Sequence, residues 1–145
     1  MITDAEIMSN RKVWTGAMRS GRYLQGRSRM RAPDDRYCCL GVFCETGAVP
    51  GQWEEYSDAN TFMWACASGE YSSGALSPLQ RAAVGLSTDE HNRLVHLNDG
   101  RRLAVALSYA ERKRLTDLKH KRYEPFTFAQ IADYIDSLPI ERETP

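Results

Sequence analysis

The chain has no apolar stretch that approaches the ~20 residues needed to cross a bilayer, so no membrane role is expected. It also lacks net charge. Its 19 basic side chains balance 19 acidic ones, which argues against a general affinity for nucleic acid. The opening residues Met1-Ile2-Thr3-Asp4-Ala5-Glu6 are acidic rather than basic, so neither a secretory nor a mitochondrial leader is expected. A reducing cytoplasm is the expected place of work. Internal repeats and low-complexity tracts are missing as well. The cysteines number only four, unevenly spaced and with two adjacent, a pattern that suggests no disulfide framework.

What remains is an ordinary globular composition of 42% hydrophobic and 26% charged residues over 145 positions. That length makes one domain with a core that needs no staples. Residues 1–139 are expected to form it, with 140–145 as a C-terminal tail. The charge is unevenly spread: residues 1–36 carry 8 basic and 4 acidic groups, residues 37–100 carry 2 and 8, and residues 101–145 carry 9 and 7. Two basic ends flanking an acidic middle suit a surface that attracts an anion.

The most apolar run is Tyr37-Cys38-Cys39-Leu40-Gly41-Val42-Phe43-Cys44, opened by Ala32-Pro33-Asp34-Asp35 and closed by Gly47. The flanking acids and the following glycine predict a short buried helix, with Leu40, Phe43 and Cys44 toward the core and Gly41 admitting a close neighbour. Three readings of its thiols compete. Reduced, buried core cysteines come first, because free cysteine is among the most buried residue types. A zinc site with Cys66 or a histidine suffers from poor spacing. A nucleophilic Cys38 or Cys39, with His91 or His96 as base, has no supporting local signature.

Helix starts are written plainly elsewhere. Thr3-Asp4-Ala5-Glu6, Ser87-Thr88-Asp89-Glu90, Ser108-Tyr109-Ala110-Glu111 and Thr127-Phe128-Ala129-Gln130 are capping boxes, and Ser77-Pro78 is an N-cap followed by proline. Phe128, Ile131, Ile135 and Leu138 form one apolar stripe before Pro139. Between the first helix and the cysteine run, residues 22–31 alternate in a way that predicts an extended segment, folding near Gly26 into a short hairpin. Residues 52–75 read as a long aromatic loop with a short strand or helical turn near 61–67, and 103–107 as a strand or helix start. The fold class is therefore α+β: mostly helical, with a small antiparallel hairpin or sheet.

Trp14, Ala17, Met18, Gly21, Tyr23 and Gln25, the Cys38-Cys39-Leu40-Gly41-Val42 run, Leu97-Asn98-Asp99 and the closing Phe128-Ala129-Gln130-Ile131-Ala132 together resemble a group of small bacteriophage and prophage proteins. Their shared pattern runs from W-x-x-AL-x-SG-x-Y-x-Q through CCLGVLC to (S/T)F-x-EIA-x-x-I. The stretch 101–122 separates two pieces that usually lie close in that pattern. The resemblance implies a phage protein at work in a bacterial cytoplasm and supplies no reaction.

Small accessory phage proteins without catalytic motifs act by binding, so the expected function is sequestration of a nucleotide-like signal or blockade of a host defence protein, a counter-defence role. Arg27, Arg29 and Arg31 are the expected phosphate contacts, Tyr23 or Trp53 the platform for a base, and Gln25 lies on the same side of the segment. No cofactor or metal is expected, and a homo-oligomer is compatible with the sequence. Two alternatives are a nucleic-acid binder using the basic stretch 111–122, and a cysteine hydrolase centred on Cys38 or Cys39. Against the former, ten residues interrupted by Pro139 leave no room for a recognition helix after Ile135.

Overall fold

The computed structural model describes residues 1–56, 61–100 and 125–141. Helix α1, Asp4–Arg19, starts on the Thr3 capping box and ends before Gly21 at φ 76°. Its inward face is Ile7, Arg11, Trp14, Thr15 and Met18, the three- and four-residue spacing of one helical stripe. Two-residue strands follow: β1, Leu24–Gln25, and β2, Arg36–Tyr37. Helix α2, Cys39–Glu45, carries the cysteine run, and Gly47 beyond it has φ 71°. Strands β3 (Gly51–Tyr56), β4 (Thr61–Cys66) and β5 (Tyr71–Ser72) form an antiparallel sheet in that order. Helices α3 (Pro78–Ala83), α4 (Thr88–Asp99) and α5 (Phe128–Ser137) complete the described chain. The class is α+β, as expected.

The capping boxes at Thr3, Ser77, Ser87 and Thr127 all form, each with side chain and backbone bonded reciprocally. The box at Ser108, the stretch 103–107 and the basic stretch 111–122 lie outside the described residues. Trp14 and Phe43 meet edge to face with centroids 5.3 Å apart, and the Trp14 indole donates to the Cys39 carbonyl at 2.9 Å. The stripe on α5 is buried, together with Ala132 and Tyr134, and α1 packs along it. Arg19 reaches across that contact to Asp133 and Asp136, both at 2.7 Å.

Three expectations are corrected. Residues 22–31 do not fold into their own hairpin: β1 pairs with β2, and in parallel, because the chain loops out through 26–35 before returning. Asp34 and Asp35 do not lead helix α2. They occupy the turn before β2, bonded to Arg36 and Arg31 at 3.0 and 2.8 Å. Within 52–75 the expected short strand near 61–67 is present as β4, but it does not stand alone in a loop: β3 and β5 pair with it on either side. Beyond position 139, the Glu141 N–H donates to the Gly85 carbonyl at 2.9 Å and the Ile140 side chain lies beside Gly85, while 142–145 lie outside the described residues.

Candidate functional site

The arginine-bearing loop, residues 26–30, is fixed from beneath at every second residue. The Gly26 N–H donates to the Tyr37 carbonyl at 2.7 Å, and its carbonyl accepts the Asn98 amide at 2.9 Å. Ser28 holds a left-handed φ of 66°, uncommon without glycine, and its N–H donates to the Asp99 carboxylate at 2.9 Å. Met30 is buried, and its carbonyl accepts the Cys38 N–H at 3.3 Å. That carbonyl lies so close to Gly41 that any side chain there would collide with it.

Asn98 is the hub of this arrangement and is 1% exposed. Its side-chain oxygen accepts from the Cys39 N–H at 3.2 Å and from Gln25 at 3.0 Å. Its amide nitrogen donates to Gly26 and to Asp99, the latter at 3.1 Å. Gln25 also donates to the Phe126 carbonyl at 2.8 Å. A buried polar residue of this kind is stable only because each of its groups has a partner. In the sequence Asn98-Asp99 stands out only within the phage-protein pattern; the signal for the hub is a polar pair in the last turn of a helix, ahead of Gly100 at φ 72°.

The expected ligand contacts divide into two sets. Arg27 and Arg29 are exposed and have no ion pair among the described residues. The other four are committed internally. Gln25 serves the Asn98 hub. Arg31 is bonded to Asp35, and its guanidinium lies 4.2 Å from the Phe62 ring centroid, with Trp53 at 5.7 Å and Tyr37 at 6.0 Å. Tyr23 stands edge-on to Tyr37 at 5.4 Å, and Trp53 edge-on to Trp64 at 5.1 Å, both half-buried. The result is an aromatic row capped by a cation, in which Tyr37 has its phenol pushed up to about 12 by burial and by Glu45.

Beside the loop lies a cavity of about 150 Å³, lined by Ser28, Arg29, Cys38, Gly74, Val95 and Asp99 among others. Cys38 caps helix α2 without a side-chain hydrogen bond. All four cysteines are free and buried. Burial pushes the Cys38 thiol up to about 11 and raises those of Cys39, Cys44 and Cys66 as well, the reverse of what a thiolate nucleophile needs. Cys44 accepts from Gln80 at 3.3 Å, a packing role. His91 uses Nε2 to accept the Leu76 N–H at 2.9 Å, which occupies the nitrogen a general base would employ. Among the described residues no group of three or more His, Cys, Asp or Glu side chains is placed to hold a metal ion, and no helix is long and apolar enough to cross a membrane.

No curated protein and no solved structure matches the chain. One family profile does, over residues 8–138, a span that takes in α1, the arginine loop, the cysteine helix and the Asn98 hub. The chain belongs to the family described as Domain of unknown function (DUF8296).

Proposed function

We propose that this protein acts by binding rather than by catalysis: a phage-type accessory protein of the bacterial cytoplasm that takes an anionic target, either a nucleotide-like small molecule or the acidic face of a host defence protein. The observation that carries the reading is the braced loop, which presents Arg27 and Arg29 outward while Gly26, Ser28 and Met30 are tied down by Tyr37, Asp99 and Cys38. Two guanidinium forks on a fixed backbone lose little freedom when they meet a phosphate. The proposed phosphate contacts are therefore Arg27 and Arg29, with Arg31 holding the aromatic row in place beside them.

Calorimetric titration with a panel of mono-, di- and cyclic nucleotides tests this. A phosphorylated ligand should bind the protein and should bind the Arg27→Ala/Arg29→Ala variant at least about tenfold more weakly, the loss of one to two charge-assisted hydrogen bonds. Binding unaffected by the double variant, or no binding to any phosphorylated compound, removes the small-molecule form.

A further inference from the structure

Strand β3 is an outer strand of the antiparallel sheet, and the ladder fixes which of its backbone groups face away from β4. The Ala67 N–H donates to the Pro50 carbonyl at 2.9 Å, whereas the Cys66 N–H turns the other way, to the Glu70 carbonyl at 2.8 Å. That direction alternates along an antiparallel pair. Gln52, opposite Ala65, and Glu54, opposite Met63, therefore carry the bonds to β4. The N–H and C=O groups of Gly51, Trp53 and Glu55 point outward. Among the described residues none of these outward groups has a hydrogen-bond partner. The edge is exposed at Gly51, Gln52, Glu54 and Glu55, and Trp53 anchors it from the inner face, edge-on to Trp64 at 5.1 Å. Glu54 and Glu55 fall on opposite faces of the strand, and neither has an ion pair among the described residues.

We infer that β3 takes an extended, lysine- or arginine-bearing segment of a partner protein as an added strand. Its main chain would bond to Gly51, Trp53 and Glu55, and its cations would sit beside Glu54 on one face and Glu55 on the other. In this mode main-chain bonds give affinity and the flanking side chains choose the partner. The two acids make that choice. A second copy of this chain pairing β3 with β3 would crowd four carboxylates into one short ladder, and like charges across a ladder are destabilising. A basic strand neutralises them instead. The inference is independent of the anion reading of Arg27 and Arg29.

The probe is a blocked heptapeptide of alternating threonine and lysine, titrated into the full chain at low salt and followed by amide exchange and NMR shifts. Without peptide, the Gly51, Trp53 and Glu55 amides should exchange quickly while those of Gln52 and Glu54 are protected. Peptide should slow the first three at least about tenfold. The same peptide methylated on every backbone nitrogen, or with glutamate for lysine, should bind at least about tenfold more weakly. Glu55→Pro removes only an outward N–H, so it should melt like the native chain and lose the peptide. Glu54→Gln/Glu55→Gln should weaken the lysine peptide and leave the edge amides open. Should Glu55→Pro fail to fold, the methylated peptide still decides on the native chain. Protection of the three outward amides in the free monomer overturns the inference, because the edge is then already covered. Protection that rises with protein concentration, with a dimer in sedimentation, overturns it in favour of a second copy. Equal binding of the methylated or glutamate peptide, or no binding of the lysine peptide, overturns it as well.

Discussion

The side-chain oxygen of Asn98 accepts the backbone N–H of Cys39 at 3.2 Å, so the last turn of α4 holds the first turn of the cysteine helix. The same amide holds Gly26 and Gln25. Asn98→Ala should leave the Cys39 N–H and the Gly26 carbonyl unpaired in the interior. A loss of about 2–4 kcal/mol is expected from two such groups, read as a lower urea midpoint at unchanged slope.

Gly41→Ala should be worse than its single methyl suggests. The added carbon would run into the backbone of Met30, which is itself pinned by the Cys38 N–H. Overpacking against movable side chains costs about 1–3 kcal/mol, and here the obstacle is main chain. The variant should melt far below the native protein or fail to accumulate as a folded species, as circular dichroism will show.

Arg11 is 2% exposed and donates to four carbonyls, those of Val84, Gly85, Leu138 and Pro139, at 2.6 to 2.9 Å. It fastens α1 to the α3–α4 turn and to the chain after α5. Arg11→Met should destabilise by about 3–5 kcal/mol, the range for removing one side of a buried polar arrangement. Arg11→Lys should recover only part of this, because an ammonium cannot reproduce the planar fork. Denaturant unfolding of the pair settles the order.

Stability should fall as the solution is acidified below neutrality, through His91. Burial holds its imidazole below the ordinary 6.5, with the Leu76 N–H seated on Nε2. The unfolded chain therefore takes up this proton first. The stabilising contribution is complete above about pH 6.5 and is lost as pH falls from there through the folded value. Glu90 works in the opposite sense: burial raises its carboxyl above 4.5, so its contribution is present below that pH and lost as pH rises through the folded value. Urea midpoints at pH 7.5 and about 5.5 should differ for the native chain and converge for His91→Gln, which keeps an acceptor without the proton.

Among the arginines, Arg31→Ala should lose about 1 kcal/mol or more, because its guanidinium covers Phe62 and is bonded to Asp35. Arg27→Ala and Arg29→Ala should stay within about 0.5 kcal/mol of the native protein in thermal melts. Such a split would separate the packing arginine from the two presented for binding.

Helices were legible because their signals are local. The boxes at Thr3, Ser87 and Thr127 and the Ser77-Pro78 cap lie within four residues of the structure they specify, and the Gly41 contact follows from an apolar run broken by one glycine. The sheet was illegible for a physical reason. Gln52, Glu54 and Glu55 of β3 are exposed and Trp53 is half-buried, so the strand shows no alternation between a wet and a dry face. The alternation at 26–30 was visible, but its cause was misread: the backbone is held by Asn98 and Asp99, about seventy residues away, rather than by a hairpin partner nearby. The outward placement of Arg27 and Arg29 could be read from that pattern. The commitment of Gln25 and Arg31 could not, because it depends on partners that only the fold brings near.

One amide group thus ties together positions separated by 59, 72 and 73 residues along the chain. Each of these three bonds closes a long loop before any enthalpy is returned, so the kinetics of self-assembly should be governed by search rather than by helix growth. Stopped-flow refolding is expected to run slower than that of a helical bundle of the same length, with Asn98→Ala accelerating unfolding more than it retards folding if the hub closes late.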